Sequence, residues 1–279
     1  MSKTILLFGA AALALGAIGA APVMARGTII LEGSDAIGFH APFGQAAAIQ
    51  YADQTWSALG GSSPKTVLVV GTNVLGGFGT SGTHAITSAA DLSGVGALSQ
   101  YAAIYFMAGG GCCSSNAANI AGRNTDLRNY YNAGGTIEIG DYDGQAAWDF
   151  LVGGSNNANW VAGVGGNLVG PGCTDGETVT AVGIANGFTQ PAPVGCWTHQ
   201  AYNSNYFATL GFTKSYFDAD PQFATDNPGT GPYSSLLSNG NTITGGGNVP
   251  EPAAWTMMIM GFGLIGATMR RRATRVSFG

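Results

Sequence analysis

The chain has 279 residues, enough for one large domain or two small ones. Glycine accounts for 46 of them, while only 9% are Asp, Glu, Lys or Arg, against about 25% in an ordinary globular domain. The 46% apolar content supplies a core and excludes a charge-rich disordered chain, and a net charge of −5 with no basic stripe excludes nucleic-acid binding.

Half of the ten basic residues sit at the ends: Lys3 at the start, and Arg270, Arg271, Arg272 and Arg275 in the last turns of the chain. The body between Arg26 and Asn248 is therefore acidic. Residues 1–25 combine Lys3, an apolar run Ile5–Ile18 and a small-residue site at Val23-Met24-Ala25. Those are the physical parts of a signal peptide, recognised by signal peptidase and the secretion machinery, with cleavage after Ala25. The run is short of the ~20 residues that a bilayer span needs.

The exported body is read as residues 26–226. Short apolar runs bounded by turn residues predict buried strands at Gly27–Leu31, Lys65–Val70, Tyr101–Met107 and Thr136–Ile139. Between them the spacing predicts helices over Gln45–Leu59, Leu92–Ser99 and Asn116–Asn132, the last stopped by Gly134. This alternation predicts an α/β domain, a flavodoxin-like or amidotransferase-like parallel sheet with helices on both faces. The succession Val67–Val70, then Tyr101–Phe106 with Gly109-Gly110-Gly111, then Leu127–Gly135 with Ile137–Gly140 resembles the class I glutamine amidotransferase-like fold. The resemblance places a nucleophile elbow at Gly140-Asp141-Tyr142. The cysteine of that mechanism is absent there, which implies a scaffold without amidotransferase chemistry.

Residues 154–195, rich in Gly and Asn, read as a long insertion, and Trp197–Phe217 as a second structured piece. Residues 227–248 read as a flexible stalk. Cys112, Cys113, Cys173 and Cys196 are disulfide candidates in an oxidising compartment. Adjacent Cys112 and Cys113 are a poor pair, and the other connectivities stay open. No Cys-x-x-Cys or paired-histidine spacing suggests a metal. The loop from Gly71 to Phe78 lacks the Lys-Ser/Thr of a phosphate loop, so no cofactor is expected.

Asp141 and Asp143 follow a predicted strand, where open α/β sheets bind ligands. They could act as an acid/base pair, although aspartates capping a helix over Gln145–Leu151 are the commoner arrangement. His199, beside Trp197, is the third candidate site residue; His40 and His84 read as structural.

At the C-terminus, Pro250-Glu251-Pro252 and Trp255 precede an uncharged segment, Ala253–Met269, and then Arg270-Arg271-Arg272. The segment reads as a transmembrane helix with an interfacial aromatic and a cytoplasmic basic flank. The arrangement resembles the PEP-CTERM sorting signal, carried on residues 249–279. The resemblance implies recognition by an exosortase, transient anchoring in the inner membrane, cleavage near Pro-Glu-Pro and delivery to the cell surface or outside. It also implies association with extracellular polysaccharide and biofilm. Three functions are then open. The first is a non-catalytic surface or matrix protein. The second is a periplasmic or surface hydrolase of a glycan or amide using Asp141, Asp143 and His199. The third is an ice-binding protein, which the lack of a Thr-x-Thr repeat ranks last.

Overall fold

A computed structural model describes residues 27–72, 84–108, 116–148, 151, 168–169, 176–189, 197–226 and 231–240. Their frame is a ten-stranded sheet. Five strands, β1 (Thr28–Glu32), β2 (Val67–Val70), β3 (Ile86–Ala89), β4 (Ala103–Phe106) and β5 (Thr136–Ile139), are parallel in the order β3-β2-β4-β5-β1. The other five are β6 (Leu168–Val169), β7 (Thr178–Val179), β8 (Ala201–Asn203), β9 (Lys214–Asp218) and β10 (Tyr233–Ser238), joined through antiparallel pairs. The parallel half matches the four strands expected from sequence and adds β3. Its Ile-Thr-Ser-Ala has too little apolar content to stand out, and its residues are only half-buried.

β10 corrects the expectation of a stalk over 227–248. All six of its residues are buried, and it pairs with β1 on one side and β9 on the other. Its Tyr-Ser-Ser-Leu-Leu-Ser is polar by composition, but the serines close onto one another. Ser234 Oγ lies 2.8 Å from Ser215 Oγ and 2.9 Å from Ser204 Oγ, so burial leaves its hydroxyl satisfied. The expected insertion over 154–195 likewise supplies strands β6 and β7 and the helix Ala181–Ala185 among its described residues.

Alternation along the strands builds two cores. On one face, α1 (Ala46–Gly60) lays Tyr51, Trp56 and Leu59 against Ile30, Val67, Val69 and Tyr105. On the other, α2 (Asn124–Asn132) lays Leu127 and Tyr130 against Ile29, Leu68, Ile104 and Ile137. The helix expected over Asn116–Asn132 is broken. Ala121 and Gly122 take φ of 52° and 75°, splitting it into a 3-10 turn (Ala117–Ile120) and α2. The helix expected over Leu92–Ser99 is reduced to a single 3-10 turn, Leu98–Gln100. α3 (Ala181–Ala185), α4 (Ser204–Thr209) and α5 (Pro221–Asp226) are short. Gln54 on α1 clasps Thr189 through two hydrogen bonds of 2.6 and 3.1 Å, tying the segment after α3 to α1.

Among the described residues no helix is long and apolar enough to cross a membrane. The signal peptide, the span 253–269, and the four cysteines with their disulfides all lie outside the described residues.

Candidate functional site

β1 and β5 are adjacent and parallel, yet the segments that follow them leave on opposite faces. After β1, Ala36 and Ile37 join the core beneath α1; after β5, Tyr142 and Trp148 join the core beneath α2. In open α/β sheets the carboxyl ends of strands that diverge in this way are the usual ligand position. Polar side chains that the core would otherwise exclude are gathered there.

Asp35 follows β1 by three residues and is fully buried. Its Oδ1 lies 3.2 Å from His40 Nε2, and its Oδ2 lies 3.2 Å from His199 Nε2. The local chain dictates this meeting. Ala36–His40 forms a single π-helical turn, closed by Ala41 N–H donating to the Ala36 carbonyl at 2.8 Å, which swings His40 back over Asp35. From the antiparallel half, His199 N–H and Gln200 N–H both donate to the Gly33 carbonyl, at 2.8 and 3.0 Å, and Asp35 N–H donates to the Trp197 carbonyl. Gly33 is required for that approach, because a Cβ there would fall 1.8 Å from the Gln200 carbonyl oxygen.

Asp141 sits at the same edge, two residues beyond β5. It is fully buried and has φ of 49°, a left-handed conformation uncommon for a residue with a side chain. Strain of this kind costs about 1–3 kcal/mol and gathers at functional sites. The preceding Gly140 has no room for a side chain: a Cβ would lie 2.5 Å from the Tyr105 hydroxyl and 3.1 Å from the Phe106 carbonyl oxygen. Neither carboxylate oxygen of Asp141 has a hydrogen-bond partner among the described residues. Burial pushes its carboxyl up to about 8; His199 pulls it back down, while Asp35, Asp143 and Glu32 push it further up. Asp141 is thus a protonated acid at neutral pH.

Asp143 has a different task. Its carboxylate accepts from Gln145 N–H at 3.3 Å and from Gln145 Nε2 at 2.8 Å, shaping the turn before the short 3-10 helix Ala146–Trp148. Its charge also raises the carboxyl of Asp141.

Sequence reasoning missed two further carboxyls on the α1 face of the sheet. Glu32 ends β1, and Glu138 lies opposite Ile30 of β1 and Tyr105 of β4. Both are fully buried. Tyr105 hydroxyl donates to Glu32 Oε2 at 2.6 Å. Burial pushes Glu32 up to about 7, against the opposing hydrogen bonds from Tyr105 and Tyr51, with Asp35 adding to the rise. Burial, and then the charge of Glu32, raises Glu138 well above the usual carboxylate range. Tyr202 of β8 ties the strand ends together. Its hydroxyl lies 2.8 Å from the Glu32 carbonyl and 3.0 Å from the Tyr142 carbonyl, fixing the chain at the end of β1 and after β5.

A cavity of about 20 Å³, room for about one water molecule, adjoins this cluster. Ser34 and Thr198, the chain neighbours of Asp35 and His199, line it with Glu177 and Trp197. Among the described residues no group of three or more His, Cys, Asp or Glu is arranged to hold a metal ion.

Of the three candidates from sequence, His199 and Asp143 both act on Asp141 through charge, and Asp143 also binds Gln145. His40 and Asp35, not singled out there, join them. The signal that could have found Asp35 was available: Gly33-Ser34-Asp35 follows a strand just as Asp141 does. His84 is remote, its Nε2 2.5 Å from the Gly61 carbonyl at the end of α1.

Outside the described domain, residues 248–272 match the PEP-CTERM protein-sorting motif, a stretch that contains Pro250, Glu251, Pro252, Trp255 and Arg270–Arg272. No curated protein and no solved structure matches the chain, so the likeness to the amidotransferase-like fold finds no support there. The motif implies an exported protein, anchored through its C-terminus and processed by exosortase.

Proposed function

We propose that the exported domain is a hydrolase whose acid is Asp141 and whose base is His199 supported by Asp35. One observation carries this reading: a buried, left-handed aspartic acid within the electrostatic reach of a carboxylate–histidine pair, beyond the carboxyl ends of β1 and β5. Structural turns have no need of such an arrangement, whereas general acid–base catalysis needs two groups held in opposite protonation states.

In the proposed step Asp141 starts as the protonated acid and His199 acts as the base. His199 accepts a proton from water as the water oxygen attacks the scissile carbon. Asp35, held through its other oxygen by His40, stabilises the imidazolium that forms. Asp141 gives its proton to the leaving oxygen or nitrogen as the bond to that atom breaks. Proton return from His199 to Asp141 restores the starting state. A glycoside or an amide fits this balance.

The mature protein would begin after Ala25 and be released near Pro250-Glu251-Pro252, acting at the cell surface or in the surrounding polysaccharide. The competing reading is a non-catalytic matrix protein of the same destination, linked to exopolysaccharide or biofilm. Turnover of a panel of glycans and amides by the purified full-length protein separates the two. Hydrolysis of one class supports the catalytic reading, and no hydrolysis of any supports the matrix protein.

A further inference from the structure

The sheet ends at β3, and among the described residues β3 pairs with β2 alone. Val67 N–H donates to the Ala85 carbonyl at 3.0 Å and Gly71 N–H to the Ala89 carbonyl at 2.8 Å, so the odd-numbered residues of this stretch turn their peptide groups toward β2. In a parallel ladder the residues between them turn the other way. The N–H and C=O of Ile86 and Ser88 therefore face outward. Natural sheets guard such an edge with lysine, proline or a bulge. Ile86-Thr87-Ser88-Ala89 has none of these, keeps an unbroken register with β2 and is only half-buried.

Beside this edge lies a cavity of about 410 Å³, within the size range of ligand pockets. Leu68 and Thr87, neighbours in the β2–β3 register, line it with Ser88, Asp91, Gly94 and Tyr101. The loop 91–96 is held in shape. Arg123 donates to the Leu92, Val95 and Gly96 carbonyls, Leu92 N–H donates to the Asn119 carbonyl at 3.0 Å, and Ser93 N–H donates to Asp91 Oδ1 at 2.7 Å. A wall fixed in this way has little freedom to lose when a ligand binds.

Asp91 supplies the charge in the lining. Hydrogen bonds from the Ser93 hydroxyl and N–H hold its carboxyl below the usual range, so it is ionised at neutral pH. Among the described residues it has no ion-pair partner, and Arg123 is already matched by Asp126 at 2.7 Å. A carboxylate beside Leu68 and the Tyr101 ring suits an apolar stem that ends in a cation, the build of a lysine or arginine side chain. Strand addition joins the two features: the peptide backbone bonds to the open edge, and one of its side chains enters the adjoining pocket. A second copy of the chain matches less well. Its β3 carries no basic side chain, so Asp91 would stay without a counter-charge.

We propose that the β3 edge and the cavity beside it bind an extended peptide as an added strand, with a lysine or arginine side chain of that peptide seated against Asp91. β3 stands four strand spacings from β1, about 19 Å, so a failure here leaves the hydrolase reading untouched.

The test is calorimetric titration of the full-length protein with a short peptide, valine-threonine-arginine-threonine-valine, and with the same peptide carrying glutamine or glutamate at its centre. The arginine peptide is expected to bind, the glutamine peptide about two- to fivefold more weakly and the glutamate peptide roughly tenfold more weakly. Asp91→Asn, which keeps the acceptor for Ser93 N–H, should erase the difference between the arginine and glutamine peptides. Gly94→Leu puts a side chain where a Cβ meets no atom within 4 Å, so it should fill the cavity and weaken the arginine peptide by about tenfold or more at an unchanged melting temperature. Methylating the backbone nitrogens of the peptide should abolish its binding. Equal affinity for the arginine and glutamate peptides, a difference that survives Asp91→Asn, or undiminished binding to Gly94→Leu overturns the proposal. So does undiminished binding of the methylated peptide, or no binding of the arginine peptide. A dimer of the free protein that Ser88→Pro dissolves overturns it too, because the edge then belongs to a second copy.

Discussion

His199 Nε2 lies 3.2 Å from Asp35 Oδ2, although the two residues come from opposite halves of the sheet and are 164 positions apart in the chain. The backbone bonds between Gly33 and the stretch His199–Gln200 hold them there, so the pair is a product of the fold as a whole. Asp35→Asn keeps the shape and removes the charge that supports His199. Its kcat should fall by roughly a hundredfold or more, the usual scale for disabling an acid–base partner. Far-ultraviolet circular dichroism should show the fold retained.

The buried carboxyls make stability depend on pH in an uncommon direction. Glu32 at about 7, Asp141 at about 8 and Glu138, also raised, all bind their protons more tightly in the folded chain than in the unfolded one. Their favourable contribution is complete below the ordinary carboxylate range and is lost as pH rises through the folded values. The melting temperature should therefore decline between about pH 4.5 and 8. Glu138→Gln, which needs no proton to stay neutral, should flatten that decline and raise the melting temperature at pH 8. A scan of melting temperature against pH in both proteins checks this.

Gly140 is fixed by the space left under Tyr105. Gly140→Ala should destabilise the domain by about 1–3 kcal/mol, as expected of overpacking. Tyr105→Phe removes the nearest obstructing atom but also the hydroxyl that donates to Glu32, so the double variant should lose less than the sum of the two single losses. Urea denaturation of the two single variants and the double variant gives the coupling directly.

Tyr202→Phe removes the hydroxyl shared by the Glu32 and Tyr142 carbonyls. The expected cost is about 1–3 kcal/mol, because the buried Tyr142 carbonyl loses a donor, while the Glu32 carbonyl keeps the Tyr142 N–H. Activity should fall as well, since Asp141 lies directly before Tyr142. Chemical denaturation gives the first effect and steady-state kinetics the second.

Replacing Arg270, Arg271 and Arg272 by alanine, or ending the chain before Pro250, should abolish exosortase processing without affecting the folded domain. Immunoblots of cell and medium fractions would show an unprocessed or misdirected protein.

The parallel strands were legible because Val67–Val70 and Ala103–Phe106 are continuous apolar runs buried on both faces. β10 was not, because its Tyr-Ser-Ser-Leu-Leu-Ser has the composition of a linker, and only the fold shows Ser234 bonded to Ser204 and Ser215. Asp141 was found by its place after a strand, and His199 by its neighbour Trp197. Asp35 offered the same signal, a place just after a strand, but its pairing with His199 spans 164 positions and leaves no local spacing, and His40 meets it only through the π-helical turn that follows. Glu32 and Glu138 carry no sequence signal either: in an alternating strand a glutamate reads as a solvent-facing position, and only α1 lying over that face shows otherwise.

The most direct test of the catalytic reading is kcat/KM as a function of pH for the wild type and for Asp141→Asn on the hydrolysed substrate. An acid with its proton held to about 8 predicts activity that falls above that pH in the wild type, and a loss of roughly 10²–10⁴ in Asp141→Asn. Equal turnover by the two proteins across the pH range would contradict the assignment of Asp141 as the acid.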